Sequence, residues 1–240
     1  ISKGVEPKGA LLALLWAALF CFTATLFFFK LGSYQTLTLT EGYVAVPARE
    51  MLRTGDWLVP RFGGSPRLEK PPLAYWLVGS LGWLRGEINE FIVRLPAAFA
   101  SLCLVGLMGL WGTKWYGSRA GLCAGFIQAS MTYMISLGRR GMIDVPLSFL
   151  TTLTLYLVAG LFDESSSAAR GSAVNPSPKK LSLWIIFFLL GVASLAKPFI
   201  GPALVLISAT SFLMIQRRFR EIMYLANPVG VITFALFTLA

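Results

Sequence analysis

Gly9-Ala10-Leu11-Leu12-Ala13-Leu14-Leu15-Trp16-Ala17-Ala18-Leu19-Phe20-Cys21-Phe22-Thr23-Ala24-Thr25-Leu26-Phe27-Phe28-Phe29 contains no charge and no proline. About 20 such residues in a helix match the hydrocarbon core of a bilayer. Lys3 and Lys8 precede the run and Lys30 follows it. It is too long for the core of a cleaved signal peptide, and no small-residue cleavage site follows it. The reading is a first transmembrane helix. Working outward, hydrophobic residues make up 56% of the 240 positions and mean hydropathy is +0.69, where soluble domains hold about 45–50% apolar residues. The fold class expected is all-α, a polytopic membrane helical bundle.

Further spans are expected at residues 91–115, 120–137, 145–162, 181–196 and 198–215, with a seventh beginning near Ile222 or Pro228. Between the first two lies a mostly polar outer loop, residues 34–90, with two short helical patterns at 41–53 and 71–84. In the first, Val44, Ala48, Met51 and Leu52 share one face while Glu41, Arg49, Glu50 and Arg53 occupy others, as in a helix lying at the interface. Both patterns are read as juxtamembrane helices, separated by a turn-rich loop over 55–66. Residues 163–180, rich in Ser and Ala, read as a flexible connection. Ile1 stands first and the run 229–240 ends at about half a crossing length. The expectation is therefore one transmembrane domain over 1–240, about seven spans, cut from a longer polypeptide.

The net charge of +10 raises nucleic acid as a partner. The basic residues sit at the ends of apolar spans, however, which points to membrane lipid phosphates and not to nucleic acid. With the N-terminus inside, Lys3, Lys8, Lys114, Arg119, Arg170, Lys179, Lys180, Arg217, Arg218 and Arg220 all fall on the inner face, as the positive-inside rule requires. This orientation predicts an inner or plasma membrane protein with its working face outward. Outside the long loop, Arg139, Arg140 and Lys197 lie on the opposite face, where topology gives them no reason to be.

With no histidine in the chain, acid–base work falls to carboxylates or lysines. Cys21, Cys103 and Cys123 lie singly in apolar runs and read as packing residues. Asp144 opens an apolar span, where an ionisable group is costly enough to be a functional candidate. It equally fits a helix cap, with Pro146 in the first turn. Lys197 interrupts Ser194-Leu195-Ala196-Lys197-Pro198, and is either a snorkelling anchor or a phosphate binder. Arg139 and Arg140 present a guanidinium pair able to clamp a phosphate or a headgroup. Arg67-Leu68-Glu69-Lys70-Pro71-Pro72-Leu73-Ala74-Tyr75-Trp76 places charges before a proline-started helix, where free N–H groups favour an anion. Taken alone, that decapeptide suits headgroup anchoring.

Thr40-Glu41-Gly42-Tyr43, Ala48-Arg49-Glu50-Met51-Leu52, Gly55-Asp56-Trp57, Pro60-Arg61, Leu68-Glu69-Lys70-Pro71-Pro72 and Tyr75-Trp76 follow one another in the loop. Asn89-Glu90-Phe91, Arg94-Leu95-Pro96, Arg140 with Asp144-Val145-Pro146, and Leu195-Ala196-Lys197-Pro198 continue the series. The ordered set resembles the GT-C glycosyltransferases of the aminoarabinose-transferase and protein-mannosyltransferase type, over most of residues 34–220. The resemblance implies transfer of a sugar from a polyprenyl-phosphate donor to an acceptor hydroxyl on the outer face. It implies Glu41 and Asp144 as the catalytic carboxylates and Lys70, with Arg140 or Lys197, as binders of the carrier phosphate. It further implies that Glu69 lines the site near a divalent metal. Thr40 stands where such enzymes usually carry the first acid of an Asp-Glu pair.

Three readings follow. One is a membrane glycosyltransferase, or the N-terminal half of one. Another is a catalytically silent relative serving as a structural subunit of a membrane protein complex, favoured by Thr40. The third, a transporter, is weaker, because the sequence shows no inverted repeat and no glycine-rich broken helix.

Overall fold

The computed structural model of the protein describes residues 9–33, 35–162 and 180–219, together with 222, 223, 232, 234 and 235. The flexible connection expected over 163–180 lies, except for Lys180, outside the described residues, as does most of the seventh span. In lipid, backbone N–H and C=O groups find no water, so a crossing segment satisfies them internally as a helix. Helices α1 (Gly9–Phe28), α4 (Glu90–Tyr116) and α7 (Asp144–Leu161) are long and apolar enough to cross a membrane. Two shorter apolar helices, α8 (Lys180–Ala196) and α9 (Ile200–Ile215), occupy the places of the fifth and sixth expected spans.

The third expected span is not one straight helix. It is α5 (Ser118–Ser130) followed by α6 (Thr132–Gly138), bent by 63° where Met131 takes an extended conformation. The bend turns α6 onto α1 and α4, so that Met134 joins the core formed by Leu19, Phe27, Leu104, Val105 and Ala129. The small residues Gly109 and Gly112 of α4 meet Gly121 of α5 closely, a seam in which an added methyl would collide with backbone. The pair is a broken span or a re-entrant loop whose break falls at Met131 and not at a glycine-rich stretch.

The loop between α1 and α4 folds as α2 (Leu39–Thr54), a two-stranded hairpin β1 (Arg61–Phe62) and β2 (Ser65–Pro66), and α3 (Leu73–Arg85). The hairpin was expected only as a turn-rich loop. Gly63 and Gly64 both have positive φ, 61° and 81°, the backbone that a two-residue hairpin turn demands. Glu50 of α2 accepts hydrogen bonds from both of their N–H groups, 2.8 and 3.3 Å. Asp56 closes the preceding turn by accepting from Leu58 and Val59, and the Trp76 indole donates to the Trp57 carbonyl at 2.7 Å. Ala45, Ala48, Val78, Ile88, Ile92 and Val93 form the apolar core that seats α2 and α3 on the end of α4. At the same end, Leu73 of α3 packs on Leu147, Ala193 and Ala196, tying the loop to α7 and α8.

Candidate active site

Two ion pairs underlie this end of the bundle. Thr38-Leu39-Thr40-Glu41 is a capping box: Thr38 N donates to Glu41 Oε2 at 2.8 Å and the Thr38 hydroxyl caps α2. Glu41 does more than cap. Arg94 Nε donates to its Oε1 at 2.7 Å, Arg94 Nη2 to its Oε2 at 3.2 Å, and the Gly141 amide to its Oε1 at 3.0 Å. The remaining Arg94 donors reach the carbonyls of Leu31, Gln35 and Thr36. Gly141 can come this close only because it lacks a side chain, since a Cβ there would collide with Val93. Glu41 is 0% exposed and Arg94 1%. Burial alone would raise the Glu41 carboxyl; Arg94 and the Thr38 and Gly141 amides outweigh it and hold it at about 2, below the ordinary 4.5.

Asp144 and Lys197 form the second pair, Nζ to Oδ1 at 2.5 Å, with about a third of each side chain exposed. Ile143 is the N-cap of α7 and Asp144 the first helical residue, with no side-chain capping bond. Asp144 thus makes no capping hydrogen bond, although its charge sits in the first turn of α7 with Pro146, as the capping alternative expects. Lys197 follows the last residue of α8 and turns to Asp144 instead of snorkelling free. The turn continues through Pro198 to Phe199, whose φ of 63° is a left-handed conformation uncommon for an aromatic residue.

A cavity of about 260 Å³ opens beside this pair. Its walls come from five places: Thr40, Tyr43 and Val44 of α2; Arg67, Lys70 and Pro71 of the approach to α3; Ala74 and Tyr75 of α3; residues 141–144; and Ala196 with Lys197. The structure therefore brings Lys70, Asp144 and Lys197 together, along with Thr40. It does not bring Glu41, Arg140 or Glu69 to the cavity wall. Glu41 lies beneath, against Arg94. Arg140 is exposed and outside the lining. Glu69 is 78% exposed and lies 3.6 Å from Arg67. Arg139, the other unexplained base, donates to the carbonyls of Leu26 and Phe29 at 2.6 and 2.8 Å, serving the carboxyl end of α1.

Among the described residues, no group of three His, Cys, Asp or Glu side chains converges to hold a metal ion. Glu69, implied to lie near a divalent metal, has Arg67 as its charged neighbour. Sequence reading also passed over two residues. Arg94 carried a signal, as an arginine inside an apolar span needs a buried partner. Arg67 was read only as an anchor, because nothing in the chain's order brings Tyr43 and Phe62 to its side.

The model of the dolichyl-phosphate-mannose-protein mannosyltransferase family matches residues 12–240. The chain belongs to this family. It is similar to the undecaprenyl phosphate-α-4-amino-4-deoxy-L-arabinose arabinosyl transferase 2 of Sodalis glossinidius, 28% identical over 89% of the chain and 37% of that protein. The corresponding transferase of Edwardsiella ictaluri is 31% identical over 80% of the chain and 33% of its own length. The chain thus spans about a third to two fifths of these relatives. The fold is that of ArnT from Cupriavidus metallidurans, crystallised with undecaprenyl phosphate, with a TM-score of 0.79 and 22% identity over 93% of the chain and 40% of that structure. In this GT-C family frame the protein is an integral membrane protein.

Proposed function

We propose that this chain is the part of a membrane glycosyltransferase that grips the phosphate of a polyprenyl-phosphate-linked sugar. One observation carries the reading: Lys70, Asp144 and Lys197, delivered by three separate segments, line one cavity at one end of the bundle. The relatives named for undecaprenyl-phosphate-linked aminoarabinose support that donor class. Lys70 and Lys197 hold the phosphate from two sides. Asp144 takes the proton of the acceptor hydroxyl as its oxygen attacks the anomeric carbon, and the bonding pair of the departing C–O bond stays on the phosphate. Glu41 serves as the buried partner of Arg94, fixing the floor of the cavity rather than moving protons.

The same basic-residue asymmetry that orients the spans supports an outward-facing cavity. Ser65, exposed in strand β2 of the hairpin, tests it: a cysteine there should react with an impermeant reagent from outside intact cells, and protection there with reaction only after lysis would reverse the orientation. The function is tested by sugar transfer from undecaprenyl-phosphate-linked donors in membranes containing wild type, Lys70→Ala or Asp144→Asn. Transfer lost in both variants is expected. Donor binding without transfer in the wild type would instead favour a catalytically silent protein, as Thr40 at the cavity wall suggests.

A further inference from the structure

Arg67 is held unlike the other cations of the cavity. Its guanidinium lies 4.4 Å from the centroid of the Tyr43 ring and 5.5 Å from that of Phe62, and the two rings are themselves 5.4 Å apart. The two rings flank the guanidinium from one side, a cation–π arrangement that holds the charge without using its N–H groups as hydrogen-bond donors. The side chain is only 15% exposed, its Nε is buried without a partner, and its carboxylate neighbour is the solvent-bathed Glu69 at 3.6 Å. Tyr75 also neighbours Arg67: burial raises its hydroxyl pKa, against the Arg67 charge and a hydrogen bond with the Arg67 side chain. A buried, unpaired guanidinium N–H costs stability unless something anionic meets it.

The cavity's charged lining is Arg67, Lys70 and Lys197 against Asp144. Lys197 is shared with Asp144 and Arg67 has only the solvent-exposed Glu69 as its carboxylate neighbour, so Arg67 joins Lys70 and Lys197 in meeting an entering anion. A polyprenyl-phosphate sugar is a phosphodiester with one negative charge. When its sugar leaves, the C–O bonding pair remains on phosphorus-bound oxygen, and the phosphomonoester carries close to two charges above its second pKa, about 6.

We propose that Arg67, clamped by Tyr43 and Phe62, is a specificity-determining residue that makes the cavity prefer a phosphomonoester to a phosphodiester, and so stabilises the leaving phosphate more than the bound donor. This rests on the phosphate reading of the cavity. Interactions stronger to the departing group than to the substrate raise kcat more than they lower KM. Lysine would not replace Arg67, because an ammonium is a compact point charge that presents no planar fork to two phosphate oxygens.

The test uses the intact protein in phosphatidylcholine nanodiscs, with farnesyl phosphate and its methyl ester as probes at about pH 8, where the monoester is almost fully dianionic. Wild type should bind the monoester about tenfold or more tightly than the ester, the scale of one charge-assisted hydrogen bond. Arg67→Lys and Arg67→Gln should bring that ratio close to one while ester binding changes little; Lys70→Ala should weaken both probes. Phe62→Leu, which keeps the charge and loosens the clamp, should give an intermediate ratio and guards against misfolding of the arginine variants. An unchanged ratio in all three Arg67 and Phe62 variants overturns the assignment of Arg67 alone. Failure of wild type to bind either probe overturns the phosphate site itself, and the Arg67 assignment with it.

Discussion

Glu41–Arg94 and Asp144–Lys197 are the same chemistry in opposite surroundings. Each joins residues 53 positions apart, one acid and one base. Glu41 is sealed and meets five donated hydrogen bonds, from Thr38 N and Oγ1, Arg94 Nε and Nη2, and Gly141 N. Among the described residues, the Asp144 side chain pairs with Lys197 alone, and it opens on a cavity. A carboxylate saturated with donors has no lone pair or access left for a substrate proton, whereas one with a single partner and solvent contact has both. Satisfaction and exposure, rather than the presence of an acid, separate a structural pair from a candidate catalytic one.

The largest effect that would sharpen this contrast comes from Arg94→Met. It leaves the Glu41 carboxylate buried without its counter-charge, a loss of about 3–5 kcal/mol. Thermal unfolding in detergent should show a strongly lowered midpoint, while Lys197→Met should unfold close to wild type. Equal midpoints for the two would break the distinction.

Acid should also act through the buried pair. Because folding depresses the Glu41 pKa, the stability it contributes is present above the ordinary 4.5 and is lost as pH falls toward about 2. The whole effect is on the order of 3 kcal/mol. Unfolding midpoints across that window should drop steeply in wild type and less so in Glu41→Gln, and parallel curves would count against the locked carboxylate.

Asp144→Asn should move function instead of fold: transfer falling about a hundredfold or more, as for loss of a general base, with an unfolding midpoint near that of wild type. The smallest change is expected for Glu69→Gln, since its carboxylate is solvent-exposed and absent from the cavity wall. Transfer assayed with and without added divalent metal should be unchanged; a metal-dependent loss would restore Glu69 to the site.

The chain's order made the spans legible, because a bilayer of fixed thickness leaves its mark as runs of a set length and hydropathy. The juxtamembrane helices were legible too, through the apolar face of α2 and the prolines before α3. Thr38-Leu39-Thr40-Glu41 also carries a capping signature in four residues, so even part of Glu41's structural role is written locally. The bend at Met131 is not, since its reward is the burial of Met134 against α1 and α4. Nor is the choice of partners. Arg94 finds Glu41 because α2 docks on α4 and Gly141 admits the α6–α7 turn; Lys197 finds Asp144 because α7 and α8 pack side by side. Arg67 meets Tyr43 and Phe62 only once the hairpin folds onto α2. Hydropathy and caps are short-range properties readable along the chain, while charge pairing depends on which helix ends share a few ångströms, and only the packed bundle decides that.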